Sequence, residues 1–486
     1  MHDLDIATIT KKSIHGVVAL VSRTFLIQLI GQVVTFLLTV YLSPTDYGVF
    51  FLVSSVIVFY SYFSDIGLAA ALIQKKEDLT DEDLKTTFTV QQALVLTLII
   101  VGVSLTGWIR TTYTLDDKGI VLYHALLAAF FLSSLKTIPS ILLERHLDFK
   151  RLVIPEIVET LLFNCTVLVL AIKGFGISSF TYAVLARGIA GTTTMYLVKP
   201  WRITFGFSRP VAKRLLSYGV PFQANSLLAL VKDQLLILYL GAVLTKPMLG
   251  FVGFAQKWAF MPLRLIMDNV IRITFPSFSR MADQKEYLGK AIEKSIFAVV
   301  FFIFPITTGM VILMPYLFSI VPKYQKWEPA MLSVLFFAVN AALSSISTPL
   351  TNALNAIGKI KVTLYLMIFW TLSTWILTPI LIFSMGFTGV ALASAIVASS
   401  VVLVVYVTNK YVPIKLVGLV FRPLFATVVM GLTIWSLSPY IVRNVPSFVL
   451  MVVIGAIVYA LSMIIVAKKQ LVADWKMVRL QLKGEA

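Results

Sequence analysis

Eight cationic side chains lie within the long apolar runs of this sequence: Arg23, Lys136, Arg187, Lys232, Lys257, Arg264, Arg272 and Arg422. Five acids share those runs: Asp65, Glu156, Glu159, Asp233 and Asp268. A charge at the centre of an apolar helix costs roughly 2.5–3.5 kcal/mol even on the lenient insertion scale, so these groups are expected to face water or one another. Lys257, Arg264, Asp268 and Arg272 follow at intervals of 7, 4 and 4, which places them on one helical face. That face is net positive, as is the whole set. The chemistry it suits is anion recognition, because the guanidinium fork matches phosphate oxygens. Arg23, Arg187 and Arg264 lie deepest in their runs and lead the candidates, followed by Lys257, Arg272 and Lys136. Snorkelling toward a helix end is the competing explanation for Lys257, Arg272 and Arg422.

The acids suggest a second role. Glu156 and Glu159 are about one turn apart, and two carboxylates in a low dielectric tend to share a proton, so they are candidates for ion coupling. Pairing with the surplus cations would explain them equally well. Lys232 and Asp233 read as an internal ion pair or a ligand contact. Asp65 and Asp268 occupy nearly equivalent places in the internal repeat described below, which suggests gate or lobe-contact positions. Neutral polar stripes add Gln28 and Gln32 in the first run and Asn340 and Asn355 in the tenth, amides able to hydrogen-bond sugar hydroxyls. Cys165 is the single cysteine and the four histidines are scattered, so neither a metal centre nor a cofactor is expected.

Fourteen apolar runs position these residues, the first at 13–42 and the last at 447–467, in a chain that is 58% hydrophobic. Each is long enough to cross a bilayer as a helix, so an all-α polytopic membrane protein is expected. Numbering the joints alternately puts 26 Lys and Arg on the side of both termini and seven on the other. By the positive-inside rule both termini are then cytoplasmic. The net charge of +18 orients the chain and meets anionic lipid; it does not imply nucleic acid. The longest joint, Lys199–Arg214, leaves no room for a soluble catalytic domain, and no enzymatic activity is expected.

The joint Tyr41–Phe50 is echoed by Tyr239–Phe251 at an offset of 202, and two further echoes at 210 and 207 also link each run to the sixth one after it. An even number of spans per repeat makes the halves parallel. The expected domains are a lobe at 1–210, a second lobe at 211–412, two appended helices at 413–467 and a cytoplasmic amphipathic tail at 468–486. Two such lobes around a cationic cavity are the geometry of an alternating-access transporter.

The segments Leu42–Gly48, Phe63–Leu68 and Ala71–Gln74 resemble the Wzx-type polysaccharide transporter family of lipid-linked oligosaccharide flippases. Glu144-Arg145 with Phe149-Lys150, Pro200-Trp201-Arg202, Leu249-Gly250 with Pro262, and Phe275–Arg280 extend the resemblance over both lobes. The colanic acid and teichuronic acid exporters look most similar. The resemblance implies the fold of the multidrug and oligosaccharidyl-lipid exporter superfamily and a bacterial inner-membrane location. It implies a substrate, an oligosaccharide on undecaprenyl diphosphate moved to the periplasmic leaflet for polymerisation. It also makes polysaccharide polymerase machinery a candidate partner, and places the diphosphate on Arg23, Arg187 and Arg264. The rival is a multidrug or cation antiporter on the same fold, whose cavity should be richer in acids.

Overall fold

The computed structural model describes residues 31–483 apart from 76, 147, 225 and 226. Arg23 and Gln28 lie outside the described residues. The secondary structure is helical throughout the described residues. The chain divides into two compact units, one through Gly253 and one from Phe254.

The first unit holds α1 (Gly31–Tyr41), α2 (Pro44–Tyr62), α3 (Leu68–Gln74), α4 (Asp81–Ser104), α5 (Thr106–Thr112), α6 (Asp117–Ser134) and α7 (Thr137–Arg145). It continues with α8 (Phe149–Ile172), α9 (Ser178–Val198), α10 (Arg209–Ala224), α11 (Leu227–Leu230), a π-helical turn at Val231–Leu235, and α12 (Leu236–Val243). The next helix, α13 (Lys246–Arg280), carries the chain into the second unit. There follow α14 (Lys285–Ile320), a 3-10 segment at Pro322–Ala330, α15 (Met331–Ala356), α16 (Ile360–Met385), α17 (Thr388–Ala398), α18 (Val401–Asn409), α19 (Val417–Ile441) and α20 (Val445–Lys483). The backbone leaves helical geometry at Ala467, so the tail is a separate stretch of helix after the last apolar run.

Among the described residues nine helices are long and apolar enough to cross a membrane, or ten if the bent pair α6–α7 counts as one span. Of the other expected spans, the one at 13–42 lies largely outside the described residues, and the one at 177–198 falls on α9, which carries Arg187. The span at 215–244 is divided among α10, α11, the π turn and α12, and α13 carries the charged stripe.

Helix starts follow local chemistry. Ser43 and Asp46 form a capping box at α2, and Thr80 and Asp83 form another at α4, each satisfying backbone donors that the first turn leaves open. Asp116 and Asp148 cap α6 and α8 in the same way. Asp83 does more than cap. Its fully buried side chain also accepts from Lys75 and from Arg214, each at 2.6 Å, tying α10 to the start of α4.

In lipid, helices associate through close packing and interhelical hydrogen bonds, and small residues favour both. The repeat-related joints meet in this way. A Cβ on Gly48 would stand 2.0 Å from the Lys246 carbonyl oxygen, and one on Gly250 would stand 1.9 Å from that of Pro44. Gly48 with Gly250 and Pro44 with Lys246 share the offset of 202 seen in the sequence echoes. The Lys199–Arg214 joint is tethered to α4: Gly206 and Ser208 donate backbone N–H groups to Thr89 and Thr86, and Trp201 packs edge-on against Phe88. Trp201 and the two threonines of α4 thus hold this basic joint against the helix.

Candidate functional site

The site in the first unit forms where a helix breaks. α6 ends at Ser134, α7 begins at Thr137, and the two are bent by 41°. Pro139 has no N–H, so the carbonyl of Leu135 loses its ordinary helical partner four residues on. Tyr196 on α9 donates its hydroxyl to that carbonyl at 3.0 Å, and Thr192 donates to Leu132 at 2.9 Å. From the other side α4 supplies two amides: Gln91 donates to Thr137 at 2.7 Å and Gln92 to Ser134 at 3.1 Å. The break is therefore satisfied by neighbours on both flanks. Gln91 and Gln92 were missed in the sequence reading; two adjacent amides within an apolar run were the available signal.

Lys136 sits at this break and pairs with Glu159 on α8. Arg187 on α9 reaches the other oxygen of the same carboxylate at 3.4 Å. The Glu159 side chain is 11% exposed, that of Lys136 15% and that of Arg187 56%, so the carboxylate is the buried centre of a three-helix ion cluster. Gly191 makes room for it: a Cβ there would stand 1.9 Å from Glu159 Oε1. Of the two readings the sequence left open for Glu156 and Glu159, a proton-sharing pair or pairing with surplus cations, Glu159 takes the second. The glutamates lie three residues apart on α8, whereas Lys136 and Arg187 approach from the flanking helices.

A cavity of about 520 Å³ opens beside the cluster, lined by α3, α7, α8, α9 and the α6–α7 break. Lys136 and Arg187 face it together with three carboxylates, Glu144, Glu156 and Glu159. With their ordinary charges these groups sum to one net negative charge. This first-unit cavity has no cation excess, because Glu144 and Glu156 join Glu159 in its lining.

The positive stripe belongs to the second unit. Lys257, Arg264, Asp268 and Arg272 are all exposed on α13. The opposite face of that helix, through Leu263, Ile266, Met267 and Val270, packs against Val299 and Ile303 of α14. Upstream on the same helix Phe254 stacks on Trp327 at 4.4 Å. The amphipathic pattern thus commits one face to packing and leaves four charged groups on the other.

The remaining candidates are dispersed. Asp65 accepts from the backbone of Ala69 at 3.1 Å and so anchors the start of α3, whereas Asp268 lies within the continuous helix α13; the two have different local roles. Lys232 and Asp233 pair with each other at 2.9 Å inside the π turn. Asn340 donates to Ser394 and accepts from Ser344, and Asn355 accepts from Thr363, so these amides are engaged in protein hydrogen bonds. Gln32 is half-buried on α1.

An all-helical membrane chain with broken spans, intramembrane ion clusters and a charged helical stripe is a multi-pass transport protein in class. The chain belongs to the polysaccharide biosynthesis protein family, whose model matches residues 37–332. An uncharacterized membrane protein in the cps region of Klebsiella pneumoniae is 24% identical over 472 residues, covering 94% of this chain and 95% of that one. The lipopolysaccharide biosynthesis protein WzxC of Escherichia coli (strain K12) is 22% identical, covering 75% of this chain and 74% of its own. The succinoglycan biosynthesis transport protein ExoT of Rhizobium meliloti (strain 1021) is 23% identical over 61% of this chain and 56% of its own. Among solved structures, the lipid II flippase MurJ in an inward closed conformation matches with a TM-score of 0.75 at 16% identity, over 93% of this chain and 100% of that one. An inward-facing multidrug resistance MATE transporter matches at 0.61 and 16%, over 79% and 95%. The chain shares the fold of these two structures.

Proposed function

We propose that this protein is a flippase that moves an undecaprenyl-diphosphate-linked oligosaccharide from the cytoplasmic to the periplasmic leaflet by alternating access. It would serve assembly of an exopolysaccharide, capsule or O-antigen. In this reading fourteen spans form two six-helix lobes, 1–210 and 211–412, with two appended helices at 413–467 and a cytoplasmic tail. Both termini lie in the cytoplasm and the protein resides in the inner membrane. Family membership and the likeness to WzxC, a lipopolysaccharide biosynthesis protein, and ExoT, a succinoglycan biosynthesis transport protein, support the substrate class.

The observation that carries the reading is the stripe on α13, where Lys257, Arg264 and Arg272 outnumber Asp268. An anion there gains charge-assisted hydrogen bonds of about 1.5–3 kcal/mol each. Arg264→Ala should lose transport while the protein still inserts and accumulates, and Arg264→Lys should recover only part of it, since a lysine lacks the fork. Proteoliposome flipping of an undecaprenyl-diphosphate-linked sugar measures this. Full activity in the alanine variant would remove Arg264 from the site.

One observation favours the rival reading of a multidrug or cation antiporter: the first unit's cavity holds three carboxylates against two cations. Uptake of an organic cation by the same proteoliposomes, abolished by Glu156→Gln and indifferent to Arg264→Ala, would support it over the flippase.

A further inference from the structure

The cavity at the α6–α7 break has donors and acceptors beyond the cations that the resemblance gives to the diphosphate. Thr137 and Ser140 present hydroxyls to it from α7. Glu144 and Glu156 present carboxylates that carry no ion pair or side-chain hydrogen bond among the described residues. Arg187 engages Glu159 through Nε alone, and its two terminal nitrogens have no partner among the described residues. Charged groups facing a cavity without a protein partner require water or a polar ligand. At about 520 Å³ the space lies within the roughly 300–1,000 Å³ of small-molecule sites.

A diphosphate fits poorly here, since the formal charge of the lining is already negative and Lys136 is spent on Glu159. A sugar fits well. Each sugar hydroxyl both donates and accepts, and so matches a lining that alternates carboxylates, hydroxyls and a guanidinium. The two unpaired carboxylates would repel a uronate. Asn340, read from the sequence as a sugar contact, is engaged with Ser394 and Ser344, and the carbonyl of Asn355 accepts from Thr363.

We propose that this cavity is a glycan subsite that takes one neutral or N-acetylated sugar of the substrate and rejects a uronic acid, with Thr137, Ser140, Glu144, Glu156 and Arg187 as its contacts. This rests on the flippase reading and adds the class of sugar that it recognises.

Three probes test it on the full chain in nanodiscs: undecaprenyl diphosphate alone, the same lipid bearing one N-acetylglucosamine, and the same lipid bearing one glucuronic acid. The N-acetylglucosamine should tighten binding about tenfold over the bare lipid, the equivalent of one or two net hydrogen bonds, and the glucuronic acid should not. Glu156→Gln and Ser140→Ala should each shrink the ratio between sugar-bearing and bare lipid. Glu144→Gln combined with Glu156→Gln should admit the glucuronic acid. An equal gain from both sugars, no gain from either, or a ratio that none of these variants changes would overturn the subsite. If the bare lipid binds and responds to Arg264→Ala while the sugar ratios fail, only this inference falls. If none of the three lipids binds, the flippase reading falls with it.

Discussion

Glu159 is the residue whose surroundings most constrain what the first unit can do. It is buried, it bridges two cations on different helices, and it fills space that Gly191 leaves open. Removing one partner of a buried ion pair costs about 3–5 kcal/mol, because the survivors stay desolvated without compensation. Glu159→Gln should lie at the lower end of that range, since Arg187 is half-exposed and can reach water. Lys136→Met should also destabilise, and the double variant should cost less than the two single costs added. Thermal unfolding of the four proteins in detergent gives that coupling directly. Additive effects would mean that Lys136 and Glu159 contribute independently.

At the scale of elements, the defining feature is a helix broken under control. Pro139 removes the donor that Leu135 would use, and Tyr196 replaces it from α9. Tyr196→Phe leaves a half-buried carbonyl without a partner, at about 1–3 kcal/mol. Pro139→Ala restores a backbone N–H four residues from that carbonyl, so Tyr196→Phe should cost less than half as much in that background. A cost that is the same in both backgrounds would show that the hydroxyl stabilises α9 by some other contact. The comparison with α15 sharpens the point. Pro349 stands at the place corresponding to Pro139 in the repeat, yet α15 runs unbroken from Met331 to Ala356. Proline permits a break; Gln91, Gln92, Thr192 and Tyr196 are what hold one open.

At the scale of the whole molecule, the distribution of Lys and Arg makes a prediction about orientation. Tags at residue 1, within the Lys199–Arg214 joint and after Ala486 should report cytoplasm, and a tag beside Lys323 should report periplasm. A periplasmic report from the Lys199–Arg214 joint would sink the fourteen-span layout and the lobes drawn from it. Gly48 and Gly250, 202 residues apart in the chain, also meet at close range. Such close backbone approach leaves no room for a side chain on either partner.

The sequence by itself determined the class of this protein. Long apolar runs can satisfy their backbone in lipid only as helices, and motifs spread over the chain are enough to mark its family. The face of α13 was legible too, because residues on one helix share a face according to spacing alone. Pairing between helices was not legible in that way. For Glu159 the sequence left a partnership with Glu156 and one with a surplus cation both open, and only the packing of α8 against α9 and the α6–α7 break brought it to Lys136 and Arg187. Asn340 and Asn355 read as free amides until their helices met Ser394 and Thr363. Spacing fixes what one helix presents, whereas contacts between helices depend on rotation and depth, and those are set by side chains that are distant in the chain.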